Sequence, residues 1–100
     1  MFGFLKKLFG PGVDLREKLA LGAVVIDVRT PREFSGGSVK GSKNIPLDKI
    51  SNKLNTIQKW NKPVITCCAS GMRSGSAASI LKNKGIEAYN GGPWTKVNRL

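Results

Sequence analysis

The chain has 100 residues, of which 40% are hydrophobic and 23% charged, and this predicts one soluble domain with a single core. It contains no histidine, which excludes a Ser-His or Cys-His catalytic pair and a metal site with imidazole ligands. Its two cysteines are adjacent in sequence and cannot cross-link distant segments, so a reducing, cytoplasmic location is expected.

The net charge of +11 is unevenly distributed along the chain. Between Glu33 and Glu87 the only acidic residue is Asp48, whereas the same interval contains nine lysines and arginines. These basic residues are scattered, and the aromatic residues do not alternate with them as on a nucleic-acid-binding surface. We therefore expect a basic surface that attracts small anions, and no nucleic-acid partner.

Residues 1–12 differ in character from the rest and are predicted to be a basic aromatic arm ahead of a domain over 13–100. Five large apolar residues surround Lys6 and Lys7, and the Gly-Pro-Gly triplet at 10–12 ends the segment. Lysines in the middle of an apolar segment are not the pattern of a secretory signal. We expect the arm to pack its aromatic side chains on the domain; the alternative is an amphipathic helix that contacts a membrane surface.

The first half of the domain alternates between helical and strand patterns. Asp14 and Thr30 are each followed three positions later by glutamate, the spacing of a capping box, and Asp48 is a further candidate N-cap. The predicted elements are a helix over 14–21, a strand over 23–28, a helical turn over 30–34, a strand over 42–45 and a helix that begins at Asp48.

The second half continues the alternation. Its predicted elements are a strand over 64–67, a helix that includes residues 77–81 and ends at Gly85, a strand over 86–89 and a turn over 91–94. Strands that alternate with helices favour a mostly parallel sheet with helices on both faces. Ligands of such sheets bind beyond the carboxyl ends of the strands, where Cys68 is placed.

The segment from Val64 to Ser74 has the pattern of an anion-binding loop with a reactive thiol. An apolar, β-branched run ends at the two cysteines, a short loop of small residues follows, and Arg73 precedes an alanine-rich helical segment. A loop that enters a helix directs backbone N–H groups and the positive end of the helix dipole toward its centre. A cysteine there should have a lowered pKa, so Cys68 is predicted to be a nucleophile.

Four segments follow one another at the spacing of a known family. In chain order they are Ile26–Arg29 with Glu33-Phe34, Gly41–Leu47, Cys68–Ser74, and Gly91-Gly92 with Trp94. With these segments the chain after Gly12 resembles the single-domain rhodaneses, a family of thiosulfate sulfurtransferases. The resemblance implies an α/β fold with a roughly five-stranded, mostly parallel sheet.

The resemblance also implies a reaction and a set of site residues. Cys68 would take sulfane sulfur from thiosulfate or a similar anion as a persulfide, then pass it to cyanide or a thiol acceptor, for which a thioredoxin-like protein is a candidate. Neither a metal nor a cofactor is expected. The candidate substrate-binding residues are Ala69, Ser70, Gly71, Met72 and Arg73 in the loop, with Arg29 and Arg32 at its rim.

Cys67 leaves two alternatives open. Five residues separate it from Arg73, the spacing of cysteine-dependent phosphatases and arsenate reductases, whereas four separate Cys68 from Arg73, the spacing of rhodaneses. Successive side chains of a strand point to opposite faces, so only one of the two thiols can face the loop. The chain could also be a non-catalytic module that senses redox state or sulfide.

Two charged groups near the loop have expected structural partners. We expect Asp27 and Arg29 to pair and to connect strand ends with loops. Arg73 is expected either to contact substrate or to pair with Asp27.

Overall fold

The structure is a computed structural model, and it describes residues 13–100. The predicted N-terminal arm over 1–12 therefore lies outside the described residues. The helices are α1 (Leu15–Ala20), α2 (Pro31–Ser35), α3 (Leu47–Ile50), α4 (Leu54–Trp60), α5 (Met72–Asn83) and α6 (Trp94–Val97). The strands are β1 (Val24–Asp27), β2 (Lys43–Asn44), β3 (Val64–Cys68) and β4 (Ala88–Pro93).

The strands form one sheet in the order β2-β1-β3-β4, and every pair of neighbours is parallel. This confirms the predicted parallel α/β fold. Within the described residues the sheet has four strands, one fewer than the resemblance implied. The same four strands are those that the sequence pattern itself predicts, and no further segment of residues 13–100 adds a fifth.

Helices cover both faces of the sheet, and the alternation of side chains along β3 divides the core between them. On one face Ile26 and Val64 pack with Ile50, Ile57 and Leu81 from α3, α4 and α5. On the other face the apolar cluster is smaller. It consists of Val25, Ile65, Cys67 and Val97, with Leu15 and Leu19 of α1 packed against it. A strand that is buried on both faces reads as a continuous apolar run, which is why β3 was recognisable from sequence.

The helix starts were predicted with mixed success. Asp14 accepts a hydrogen bond from the Arg16 amide, and Thr30 forms a complete capping box with Glu33, so both predicted caps are confirmed. The prediction of an N-cap at Asp48 was wrong. The N-cap of α3 is Pro46, two residues before the predicted cap, and Asp48 lies in the first turn without a side-chain capping bond. An acid in the first turn still interacts favourably with the helix dipole, which explains the similar sequence signal.

The last strand also differs from the prediction. It covers Ala88–Pro93 rather than 86–89, so Gly91 and Gly92 are part of the strand and not of a turn. The register between β3 and β4 shifts there, because Thr66 pairs with Asn90 but Cys68 pairs with Pro93. One extra residue in β4 is therefore accommodated at the double glycine, the arrangement of a β-bulge.

Gly91 is predicted to tolerate no side chain. A Cβ atom at this position would lie 2.7 Å from Val97 Cγ2, 2.8 Å from Ile65 Cγ2 and 2.9 Å from the Thr66 carbonyl oxygen. We expect Gly91→Ala to lower the free energy of unfolding by about 1–3 kcal/mol, the usual cost of overpacking, as measured by urea denaturation. Gly36→Ala is the control, because its Cβ would come no closer than 3.5 Å to another atom. Equal stability of the two variants would contradict the prediction.

Candidate active site

Cys68 is the last residue of β3 and is fully buried at the carboxyl end of the sheet. The loop over 69–71 follows it, and helix α5 starts at Met72. Gly71, the N-cap residue of α5, has φ = 107°, a backbone conformation that side-chain-bearing residues rarely adopt. This glycine lets the chain turn directly from the strand into the helix, so that the first turn of α5 lies beside the thiol.

The sulfur of Cys68 accepts hydrogen bonds from the start of α5. The amide of Gly71 donates to Sγ at 3.0 Å and the amide of Ser74 at 3.4 Å, while Ser74 Oγ lies 3.3 Å from the sulfur. Ser74 is the third residue of the helix, and its amide is one that a capping side chain usually satisfies. Gly71 has no side chain to do so, and the sulfur takes that role.

These contacts set the charge state of the thiol. Burial by itself raises the pKa of Cys68, but the hydrogen bonds from Ser74, Gly71 and Ser70 stabilise the anion more strongly. The net result is a pKa below the ordinary value for cysteine. Cys68 is thus a buried thiol whose anion is stabilised by its neighbours, and the direction of the pKa shift is the one that the sequence predicted.

Cys67 has the opposite environment. Its side chain points to the other face of the sheet, into the cluster that contains Val25 and Ile65. Burial raises the pKa of Cys67 to about 12, and the nearby carboxylate of Asp27 adds to the effect. The predicted division of the two thiols between the two faces is confirmed.

Arg73 pairs with Glu33, which corrects the expected pairing with Asp27. Its two terminal nitrogens donate to the two carboxylate oxygens at 2.8 and 3.0 Å, so that α5 is connected to α2. Glu33 is placed for this contact by its capping bonds with Thr30. The Arg73 guanidinium and the Thr30 amide hold the pKa of Glu33 at about 2. The positive charge nearest the loop is therefore largely neutralised by a carboxylate.

Arg29 pairs with Asp27, as expected, and its role is accordingly structural. Its guanidinium donates to both carboxylate oxygens at 2.7–3.0 Å and to the Gly37 carbonyl at 2.6 Å. It also stacks on the Trp94 ring at 4.9 Å from the centroid. Only 5% of Arg29 is exposed. These partners occupy the guanidinium of Arg29, which the sequence analysis had predicted to bind substrate at the rim of the loop.

The other predicted site residues fall into two groups. Ala69 and Ser70 in the loop and Met72 at the helix start are exposed, with 82% of Met72 accessible to solvent. They surround the position of the thiol. Arg32 lies exposed on α2, and within residues 13–100 its guanidinium takes part in no ion pair.

Two residues at the site were not predicted from the sequence to be functional. Ser74 supplies both its amide and its hydroxyl to the surroundings of Cys68. Asn90 of β4 accepts from the Ser74 hydroxyl and donates to the Gly71 carbonyl. Ser74 could have been found from its place directly after Arg73 at the expected helix start. Asn90 gives no such signal, because only the register shift in β4 brings it to the loop.

Within residues 13–100 no cluster of three or more histidine, cysteine or acidic side chains is arranged to hold a metal ion. None of the described helices has the length and apolar character needed to cross a membrane.

The fold and the loop define the chain as a parallel α/β protein with a cysteine of lowered pKa at a helix N terminus. The rhodanese-like domain family matches residues 13–93, and the chain belongs to this family. The uncharacterized protein YqhL of Bacillus subtilis is 45% identical over 69 residues, which are 68% of this chain and 54% of that protein.

Two further relatives connect the family to an activity and to a solved structure. The thiosulfate sulfurtransferase GlpE of Stutzerimonas stutzeri is 33% identical over 70 residues, 69% of this chain and 63% of the enzyme. The crystal structure of a rhodanese-like domain protein from Staphylococcus aureus superposes with a TM-score of 0.70 at 32% identity and covers 84% of this chain and 83% of that chain. The chain thus spans 54% of the length of YqhL and 63% of the length of GlpE.

The difference between the two thiols predicts selective alkylation. Both cysteines are fully buried, so burial alone does not distinguish them, whereas their pKa values are shifted in opposite directions. We expect iodoacetamide at neutral pH to add one group, at Cys68, because the thiolate is the reactive form. Intact mass and peptide mapping should show the adduct in Cys67→Ala and lose it in Cys68→Ser. Modification of Cys67 as the first site would contradict the assignment.

The Arg73–Glu33 ion pair predicts that part of the stability of the folded state is lost at acidic pH. The pKa of Glu33 is lowered from 4.5 to about 2 in the folded state. Its contribution to stability is therefore complete above pH 4.5 and is lost as the pH falls through about 2. Urea denaturation across this range should show a smaller pH dependence for Glu33→Gln than for the natural sequence. Arg73→Gln removes the partner of Glu33 and should reduce the pH dependence in the same way.

Proposed function

We propose that the chain is a sulfurtransferase that carries sulfane sulfur on Cys68. The observation that carries the proposal is the set of hydrogen bonds from Gly71 and Ser74 to Sγ, which favour a thiolate beside the first turn of α5. The relative GlpE is named a thiosulfate sulfurtransferase, which supports thiosulfate as a donor. The free thiol that this chemistry requires fits the reducing cytoplasm expected from the sequence.

In the first half-reaction the Cys68 thiolate attacks the outer sulfur of thiosulfate. The new Sγ–S bond forms as the S–S bond of thiosulfate breaks, and its electron pair leaves with sulfite. Since Cys68 is fully buried, Sγ must become accessible before the donor can react with it. The product is a persulfide anion, and no proton is transferred, so the absence of histidine is no obstacle.

In the second half-reaction cyanide or an acceptor thiolate attacks the outer sulfur of the persulfide. The Sγ–S bond breaks and its electron pair returns to Cys68, which leaves as the thiolate. This is double-displacement catalysis through a covalent intermediate. The low pKa of Cys68 makes its thiolate a good leaving group in this step.

The first turn of α5 is suited to hold the terminal sulfur. Met72 and Arg73 are its first two residues, and amides at these positions have no acceptor within their own helix. Together with the amides of Ala69 and Ser70 they supply donors for one anionic atom, as an oxyanion hole does. The ion pairs of Arg29 and Arg73 leave recognition of the anion mainly to these backbone groups.

A protein acceptor would meet an exposed methionine beside the loop, on a protein of high net positive charge. The chain has a net charge of +11, and Met72 lies beside the loop with 82% of its surface exposed. We therefore propose an acidic thiol protein of the thioredoxin type as an acceptor. Charge complementarity of this kind increases the rate of association.

The proposal is tested by intact mass after treatment with thiosulfate. We expect the natural sequence and Cys67→Ala to gain one sulfur atom, which cyanide then removes, and Cys68→Ser to gain none. Hydrolysis of an aryl phosphate is measured on the same samples, since the Cys67-to-Arg73 spacing resembles that of phosphatases. Phosphatase activity that depends on Cys67, or no persulfide on Cys68, would refute sulfur transfer by this site.

A further inference from the structure

The side chain of Asn90 makes three hydrogen bonds around the cysteine loop, and the reaction described above does not use it. Its Nδ2 group donates to the Gly71 carbonyl at 3.0 Å. Its Oδ1 atom accepts from the Gly92 amide at 2.9 Å and lies 2.6 Å from Ser74 Oγ. Asn90 thus contacts both residues whose amides donate to the sulfur of Cys68.

These partners fix which way the amide of Asn90 faces. A carbonyl oxygen only accepts and a backbone amide only donates, so Gly71 requires Nδ2 on its side and Gly92 requires Oδ1 on the other. The atom that faces Ser74 is therefore an acceptor. It follows that the Ser74 hydroxyl donates a hydrogen bond to Asn90 Oδ1 in this structure.

A serine hydroxyl has only one proton, and two acceptors compete for it here. One is Asn90 Oδ1 at 2.6 Å, and the other is the sulfur of Cys68 at 3.3 Å from the same oxygen. While Cys68 is a neutral thiol, its S–H can donate to Ser74, and Ser74 can donate to Asn90. When the sulfur is a thiolate, it becomes the more strongly charged acceptor, and the hydroxyl can rotate toward it.

We propose that Asn90 is a positioning residue that competes with the sulfur of Cys68 for the hydrogen bond of the Ser74 hydroxyl during sulfur transfer. The inference rests on the proposed function. In the persulfide the charge lies on the outer sulfur, so the hydroxyl donates to Asn90. When the acceptor attacks, the Sγ–S bond breaks, its electron pair returns to Sγ, and the hydroxyl rotates to donate to the new thiolate. The proton stays bonded to Ser74 Oγ throughout.

The local backbone is built to hold Asn90 in this place. Gly75 faces it, and a Cβ atom there would lie 3.1 Å from Asn90 Nδ2. The register shift at Gly91 and Gly92 allows the Gly92 amide to fold back onto the side chain. Asn90 therefore connects the bulge of β4 to the loop, although the residue itself is exposed.

The charged groups around Cys68 are already paired with one another. The hydrogen bond of the Ser74 hydroxyl is therefore the interaction that a change at Asn90 alters, and the pKa of Cys68 reports it. Asp27, the last residue of β1, is bound by Arg29, and Glu33 of α2 is bound by Arg73 of α5. The adjacent Cys67 stays neutral, because its pKa is about 12. A change at Asn90 leaves all of these groups in place.

The test is a double-mutant cycle in the Cys67→Ala background, read from the pH dependence of alkylation of Cys68 by iodoacetamide. Asn90→Ala removes the competing acceptor, so the hydroxyl should stay on the thiolate and the pKa of Cys68 should fall. The expected shift corresponds to about a fivefold change in the thiolate-to-thiol ratio, typical of one hydrogen bond. In the Ser74→Ala background, the same change at Asn90 should leave the pKa unmoved.

A second variant, Asn90→Asp, should shift the pKa of Cys68 in the opposite direction. It keeps the proposal testable if Asn90→Ala does not fold. Asn90→Asp keeps the acceptor for Ser74 and strengthens it, so the pKa of Cys68 should rise, and by more with Ser74 present than with Ser74→Ala. Thermal melts report folding for every variant. Shifts of equal size with and without the Ser74 hydroxyl would overturn the role of Asn90. Failure of the natural sequence to form a persulfide would instead refute the proposed function, and the alkylation cycle distinguishes the two.

Discussion

The sulfur of Cys68 completes the N terminus of α5, and the arrangement of the site depends on this contact. An N-cap side chain normally accepts the amide of the third helical residue, but Gly71 has none, and Sγ accepts from Ser74 instead. A helix start thereby gains an acceptor and a thiol gains donors that favour its anion. The same two hydrogen bonds thus contribute to folding and to reactivity, so a change to the cysteine affects both.

The remainder of the domain holds β3 and α5 in place for that contact. Parallel neighbours on both sides of β3 fix where the strand ends, and the core on the α5 side anchors the helix through Ala77 and Leu81. Two ion pairs, Asp27–Arg29 and Glu33–Arg73, then tie the surrounding loops to strand and helix ends. The guanidinium groups of Arg29 and Arg73 thus serve mainly as structural connections.

Patterns local in sequence were the ones that could be predicted. The buried run of β3, the capping box at Thr30 and the opposite faces of Cys67 and Cys68 follow from short-range periodicity, and the structure has all three. The partner of Arg73 could not be predicted, because choosing Glu33 over Asp27 depends on how α2 packs against α5. The role of Asn90 could not be predicted for a similar reason. Its position depends on an extra residue in β4 that single-strand patterns do not reveal.

The separation of the two thiols by the sheet has a consequence for oxidative stress. Cys67 is the only other cysteine of the chain, and it lies on the far face of β3, where it cannot reach Cys68 without breaking the strand. A sulfenic acid formed on Cys68 therefore has no resolving cysteine among residues 1–100, and its further oxidation would be irreversible. Recovery requires a thiol from outside the chain.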